Sequence, residues 1–589
     1  MNQQSGLITS APSFRFGSFE FCPDSGELFR QGRKVKLQNQ LSQILALLLE
    51  RAGNVVPREE ICKTLWPDHT FVDFDAGLNK AMSGLRAALR DSAGKPRFVE
   101  TLPRKGYRFI GRLEAAPSTS TIGPRRNAGL AVRIESLAVL PLANHSGDPA
   151  EEYFSDGMTG ELISAISRID SLRVISRTSV MQYKEGRKDL PTIARELRVD
   201  AVVEGSVARS GSKVRITAQL IYAPEDRHLW AGRYERELCD VLQLQAEIAE
   251  SIAGQINRVV APGKQSGRAR LIHPQAYEAC LKGNFFRDKM TPADLDKSVE
   301  FFKRAIDLDP ANAQAYADLS QSYFFLGVFG MARPAEVFPN AKAAALRALE
   351  LDEGMSSAHT ALAAVHILYD WDWAGAEAEC RRALQLSPGN QVARVHMADF
   401  MSIQGRHDAA IAEFRQALAS DPISRVYMGH FGLILYRARR YGDAIEQCQK
   451  ALNVDSNYAN AMWFLALSLE QEGRLADSIA MLEKAVNVSG GGLHYRALLG
   501  RGYGLAGERK KALATAQELE TLSQKIYVSP FDLGLVHLGL GDKDSGFQRL
   551  EEAYAQRVFR LIELTMPMFD SFRGDPRWEG LVARIGLAK

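Results

Sequence analysis

The chain has little of what marks a secreted, membrane-spanning or metal-holding protein. Six cysteines occur in 589 residues (Cys22, Cys62, Cys239, Cys280, Cys380, Cys448), and no two stand as C-x-x-C. That spacing argues against a zinc ribbon or a disulfide scaffold and fits reduced, mostly buried thiols in a cytosolic protein. No apolar run approaches the roughly 18 residues of a spanning helix. The best, "SLAVLPLA", is far too short. The opening "MNQQSGLITSAPSF" lacks a basic stretch followed by an apolar core, so no signal peptide is expected. A G-x-x-x-x-G-K-[ST] phosphate loop occurs nowhere, and the "GRGYG" at 500–504 lies in a helical repeat and follows no strand. No metal-ligand cluster or nucleophile constellation stands out, so neither catalysis nor a cofactor or metal is expected. The expected location is cytoplasmic.

Charge of one sign is scarce only on average. The net charge is +3, yet residues 1–113 hold 17 Lys and Arg against 11 Asp and Glu, a balance of +6 that leaves −3 for the rest. A basic end on a slightly acidic body signals a partner, nucleic acid first among them. The rest of the composition, 46% hydrophobic and 24% charged, is that of an ordinary globular chain long enough for several domains.

Residues 13–113 read as a small α+β domain. "FRFGSFEF" and "GELFRQGRKVKL" alternate apolar and polar residues around glycine turns, as short strands do. In "LSQILALLLERAGNVV", Leu41, Ile44, Leu45, Leu48 and Leu49 recur at helical spacing, and Gly53 with Asn54 ends the helix. "PREEICKTLW" opens with Pro57 in a first turn and two acids behind it. "DAGLNKAMSGLRAALR" buries Leu78, Met82, Leu85 and Leu89, and its other side carries Asn79, Lys80, Ser83, Arg86 and Arg90 with no acid after Asp75. "FVETLPRKGYRFIG" predicts a hairpin with Arg104 and Lys105 at its tip and Tyr107 just behind. Strands, three helices and such a hairpin make a winged helix-turn-helix. A major groove admits the last helix, and a basic wing reaches phosphate or the minor groove.

The block resembles the DNA-binding domain of the OmpR/PhoB winged-helix family, through "GNVVPREEICKTLWPD", "LNKAMSGLRAAL" and above all "RFVETLPRKGYRFIG". The resemblance implies that Asn79, Lys80, Ser83 and Arg86 face bases or phosphates and that Arg104, Lys105 and Tyr107 serve the wing. Trp66 matches the family's loop-proximal tryptophan, which implies a phosphate contact or core packing. The family often has Arg where Ser83 and Gly84 stand, so its base preferences do not transfer. The module starts near residue 13, which leaves no room for the receiver domain that normally precedes it. A bacterial one-component regulator with its sensor downstream is expected.

Residues 114–133, which include "EAAPSTSTIGPRRNAG", have the Pro, Ser, Thr and Gly of a linker. Strand and helix patterns then interleave over 134–260, predicting a mixed sheet with helices on it and a hairpin turning at Ser210-Gly211. "AVLPLANHSGDPAEEYFSDGMTGELISAIS", "VEGSV" and "HLWAGRYERE" resemble the TolB-N-like (FlgO-like) domain, which implies no catalytic residues. Asp156 is read as a helix-start or turn residue.

From 270 to 589 a period appears. "AIDLDP", "ALELDE", "ALQLSP", "ALASDP", "ALNVDS" and "AVNVSG" end 43, then 35, 34, 34 and 34 residues apart. This is the spacing of tetratricopeptide repeats, with an insertion near "GVFGMARPAEVFPN" and a cap at "FDSFRGDPRWEGLVARIGL". Such arrays stack into an all-α superhelix with a concave groove. The family pattern lines that groove with Val392, Val395, Asp399, Tyr436, Asn460, Trp463 and Glu470. A protein or peptide partner is expected there, and a homo-oligomer is compatible. The whole reads as a DNA-binding transcriptional regulator: winged helix, α/β domain, repeat superhelix. Its rivals are a repeat scaffold using the winged helix for protein contacts and a nucleotide-related enzyme built on the α/β domain.

Overall fold

The computed structural model describes residues 14–22, 26–30, 33–35, 37, 39–65, 74–92, 94–102, 105–114, 134–167, 169, 172–184, 188–255 and 273–587. The described residues fall into two compact units that divide between residues 131 and 132.

The first unit opens with four short strands, β1 (Phe14–Phe16), β2 (Phe19–Cys22), β3 (Glu27–Arg30) and β4 (Arg33–Val35). Then come α1 (Asn39–Glu50), β5 (Val55–Pro57), α2 (Arg58–Leu65), α3 (Phe74–Leu89), β6 (Val99–Leu102), β7 (Gly106–Phe109) and β8 (Leu113–Glu114). One sheet runs β4-β3-β2-β1-β8, and a second, β5-β7-β6, contains the predicted hairpin. Pro57 closes β5 rather than opening α2, which begins one residue later. The core joins the predicted stripes: Leu45, Leu48, Leu78, Met82, Leu85 and Leu89 are buried beneath Phe16, Phe98 and Phe109. The ring of Phe16 meets that of Phe109 edge-on at 5.0 Å. Gly106 makes the hairpin possible. Its φ is +146°, and a Cβ there would stand 2.1 Å from the Val56 carbonyl oxygen, so only glycine lets β7 leave the turn against β5.

The second unit begins with a mixed sheet. Its elements are β9 (Ser136–Val139), β10 (Ala143–Asn144), α4 (Glu152–Ile166), β11 (Arg173–Val174), α5 (Arg177–Val180), α6 (Leu190–Leu197), β12 (Ala201–Ser210), β13 (Lys213–Tyr222), β14 (Arg227–Glu237) and α7 (Val241–Gln255). The order is β11-β9-β12-β13-β14, with β10 also pairing β12. The β11–β9, β9–β12 and β10–β12 pairs are parallel, and β12–β13 and β13–β14 are antiparallel. The expectation for Asp156 fails: it lies inside α4, buried, 2.5 Å from Lys184 Nζ. A carboxylate this deep needs a cation more than it needs a helix end.

Helix pairs come next: α8 (Pro274–Arg287), α9 (Pro292–Leu308), α10 (Ala313–Val328), α11 (Pro334–Leu351), α12 (Ser356–Val365), α13 (Trp373–Leu386), α14 (Gln391–Ile403), α15 (His407–Ser420) and α16 (Arg425–Arg437). The array continues with α17 (Tyr441–Val454), α18 (Ala459–Gln471), α19 (Leu475–Val488), α20 (Leu493–Leu505), α21 (Arg509–Ser523), α22 (Pro530–Gly539), α23 (Lys543–Ala555) and α24 (Pro576–Ile585). From α14 to α19 the pairs repeat as 13 and 14 residues. The 43-residue interval is absorbed by α10 and α11, of 16 and 18 residues. Gly405 and Gly473 turn the chain between helices at φ +75° and +76°. The glycines of "GRGYG" serve packing: a Cβ on Gly504 would come within 2.5 Å of the Gly539 backbone, so they let α20 and α22 touch.

The sheet and the repeats share one core. Tyr277 and Leu281 of α8 are buried among the residues of β9, β12 and α4. Arg209 bridges the seam to Glu278 at 2.8 Å. Ser179 Oγ donates to Asp421 at 2.8 Å, and Ser176 at the head of α5 also bonds that carboxylate.

Candidate nucleic-acid interface

Helix α3 sorts its residues by its 3.6-residue period. Leu78, Ala81, Met82, Leu85 and Leu89 are buried, while Asn79, Lys80, Ser83 and Ala87 are exposed, as is Arg90 in the turn just past the helix end. The exposed stripe with Arg90 carries two cations, an amide and a hydroxyl around a methyl group, and it holds no acid. Such a stripe can donate to phosphates and base edges and lay a methyl against a thymine. Lys105, also exposed, sits at the hairpin turn, its N–H bonded to the Leu102 carbonyl at 3.0 Å.

Three of the predicted site residues have other work as well. Tyr107 is buried, 2% exposed, so its ring belongs to the core rather than to the wing surface. Its hydroxyl meets Asn79 Oδ1 at 3.2 Å. Arg58, at the start of α2, donates to the Tyr107 hydroxyl at 2.9 Å and to Asn79 Oδ1 at 3.0 Å. The Asn79 carbonyl oxygen is therefore occupied, and its amide nitrogen is the end left for a ligand. Arg86 turns away from the stripe: it donates to the Val99 carbonyl at 3.1 Å and to Thr101 Oγ1 at 2.6 Å. A guanidinium so held braces the hairpin on α3. Arg104 and Trp66 lie outside the described residues.

Two positioning residues were missed by sequence reading. Arg58 carries no motif signal in the sequence, and only the fold brings it to Tyr107 and Asn79. Asp91 accepts from four backbone N–H groups, those of Ser92, Arg97, Phe98 and Val99, at 2.7 to 3.0 Å. Burial opposes its charge, but these donors hold the carboxyl below its ordinary range. Asp91 thus ties the end of α3 to the start of β6 and fixes the wing. In sequence it follows a helix as many solvated acids do, so no local signal marked it.

The predicted partner groove is filled by the chain itself. Val395, Asp399, Tyr436, Asn460, Trp463 and Glu470 do lie together on α14, α16 and α18. Residues Phe559–Thr565 and Pro567–Phe572, two turns of 3₁₀ helix, pack over them, with Leu561, Leu564, Met568 and Phe569 in the same core as Val395, Tyr436 and Trp463. Tyr436 is fully buried, and the Arg560 guanidinium lies 5.1 Å from the Trp463 ring centre. Glu470 pairs with Arg501 at 2.6 Å, and Arg501 donates on to the Met568 carbonyl at 3.1 Å. Asp399 pairs with His430 at 2.9 Å, and Asn460 accepts from the Tyr495 hydroxyl at 2.6 Å. The expectation of an open groove at these six residues is corrected on this point. The segment that leads into the cap, with Phe569 at the cap's start, covers this face with apolar residues. Val392 alone of the predicted lining is exposed.

No group of His, Cys, Asp and Glu among the described residues could hold a metal ion. No described helix is long and apolar enough to cross a membrane.

Comparison with known proteins agrees with this geometry. Residues 32–109 match the family "Transcriptional regulatory protein, C terminal". Residues 371–428, and 404–458 with 430–492, match two tetratricopeptide repeat families. Putative adenylate cyclase 3 of Rhizobium meliloti (strain 1021) is 35% identical over 187 residues, 31% of this chain and 32% of that one. The cholera toxin homolog transcriptional activator of Vibrio parahaemolyticus is 37% identical over 99 residues, 16% and 34% of the two chains. Transcriptional regulator HilA of Salmonella typhimurium is 21% identical over 370 residues, 61% and 62%. The chain thus spans about a third of the first two relatives and less than two thirds of the third. It carries a transcriptional-regulator winged helix at its N-terminal end and tetratricopeptide repeats toward its C-terminal end.

Proposed function

We propose that the chain is a cytoplasmic transcriptional regulator of one-component type that binds promoter DNA through α3 and the β6–β7 wing. The observation that carries the reading is the acid-free exposed stripe of α3, Asn79, Lys80, Ser83 and Ala87, with exposed cations at Arg90 just past its end and at Lys105 in the wing turn. The α/β sheet and the repeats, which share one core, form the sensing or partner-docking half. Any partner meets repeat surfaces other than the inner face of α14, α16 and α18. The chain acts by binding and not by catalysis, in keeping with the names of two of the three relatives above.

The test is duplex binding by residues 1–131 and by the full chain across a salt series. If roughly five phosphates are neutralised, log K falls with log salt at a slope of about −4 to −5. A slope near zero refutes groove binding. On randomised duplexes, Lys80→Ala and Ser83→Ala should flatten the preference at one or two base pairs, by about 1–3 kcal/mol at a pair truly read. Unchanged preference in both folded variants removes them from the reading role.

A further inference from the structure

One edge of the α/β sheet is open. Strand β14 ends the order β11-β9-β12-β13-β14, and no strand among the described residues pairs with its outer side. Such an edge turns backbone N–H and C=O groups outward, a template for another strand; here the Glu235 carbonyl accepts from Arg236 Nη1 at 3.0 Å, a side-chain bond that an incoming strand would replace. Its register with β13 shifts at Leu220/Ile221, leaving Leu229 as a bulge and Trp230–Glu237 as a regular run. At ~3.4 Å per residue that run offers about 27 Å of ladder.

The faces of this run are already assigned. Trp230, Gly232, Tyr234 and Arg236 stand opposite Leu220, Ala218, Ile216 and Val214, which are buried. The Tyr234 hydroxyl meets Ser251 Oγ at 3.0 Å and Arg236 reaches Glu247 at 3.0 Å, both on α7. That face is covered by α7. Ala231, Arg233, Glu235 and Glu237 lie on the other face, all exposed. Glu235 pairs with Arg215 at 2.9 Å, while Arg233 makes no hydrogen bond or ion pair among the described residues.

We infer that a second copy of this chain pairs with β14 edge to edge, antiparallel, about a two-fold axis at Tyr234. The register follows from charge. With the axis at Tyr234, each Arg233 stands opposite the second copy's Glu235, and the pair occurs twice. An axis at Arg233 would set that cation against itself, and an axis at Glu235 would do the same to the acid. Opposite charges directly across a ladder stabilise it and like charges oppose it. Charged residues on an edge ordinarily guard it against pairing. These are guarded against other strands and complementary to their own image. The interface is isologous, so it closes at two copies. A dimer would hold two winged helices in one molecule, raising the effective concentration of the second at paired half-sites. The inference rests on the sheet alone and stands whether or not the chain binds DNA.

The test is the mass of the full chain in solution, by sedimentation or light scattering over a concentration series. A dimer is expected, twice the 65.1 kDa of the chain. Arg233→Glu sets acid against acid and should raise the dimer dissociation constant at least tenfold. The charge swap Arg233→Glu with Glu235→Arg should return it to within a few-fold of the parent. Circular dichroism of each variant checks the fold. A monomer at every concentration overturns the inference. So does a dimer that Arg233→Glu leaves intact, or one that the folded swap variant fails to regain.

Discussion

Arg86 shows how little a side chain's type says about its task. It sits one residue past Leu85 on a helix that offers Lys80 and Ser83 to solvent, yet its guanidinium is bonded to Val99 and Thr101. A bond from a charged donor to a partly buried acceptor contributes about 1.5–3 kcal/mol. Arg86→Ala should therefore lower the stability of the first unit by roughly that amount. It should weaken binding to all duplexes by one common factor while leaving site preference alone. Thermal unfolding of residues 1–131 with a binding selection checks both parts. A changed preference at unchanged stability would return Arg86 to the reading role. Tyr107 and Asn79 teach the same point, because the Tyr107 hydroxyl and Arg58 together take up the Asn79 oxygen.

At the scale of elements, the seam between α8 and the sheet is held by charge as well as by packing. Glu278 sits among Arg209, Lys282 and the Tyr153 hydroxyl, at 2.8, 2.8 and 3.0 Å. Burial opposes its charge, but the bonds from Lys282, Arg209 and Tyr153 outweigh it and pull the carboxyl down to about 2. A carboxyl lowered in the folded state adds stability above its unfolded value near 4.5, and this is lost as pH falls toward 2. Glu278→Gln should then destabilise the second unit at neutral pH by about 1–2 kcal/mol, allowing for solvent screening. The penalty should shrink below pH ~4.5 and vanish near the folded value. Urea unfolding of parent and variant at several pH values measures it, and a penalty constant with pH would show a packing effect instead.

For the whole molecule, the sheet and the repeats belong to one compact unit. The chain divides once, between residues 131 and 132. Calorimetry of the full chain should show two transitions, one belonging to the winged helix and one to everything after it. Three transitions, or a repeat fragment from 270 onward as stable alone as within the chain, would contradict the shared core of α8 with the sheet. The cap also makes the array depend on its own end. Trp373 Nε1 donates to the Ile585 carbonyl at 2.9 Å, across 212 residues of sequence.

By itself the sequence determined what short-range pattern can carry. Helical spacing predicted α1 and α3, alternation predicted β1 to β3, and a 34-residue period predicted the paired helices, because each depends on neighbours within a turn, a strand or one repeat. The basic end of the chain and the two faces of α3 were legible for the same reason. Tertiary structure alone decided which polar groups remain available. Arg86 meets Thr101, Ser179 meets Asp421, and Arg501 meets Met568 across gaps of 15, 242 and 67 residues. No periodicity spans such gaps. The groove residues Tyr436 and Trp463 look open in any one repeat, because the 3₁₀ turns that cover them come from more than ninety positions further along the chain. A repeat pattern specifies how each unit packs on the next, whereas what lies on the inner face depends on how the superhelix brings its own end around.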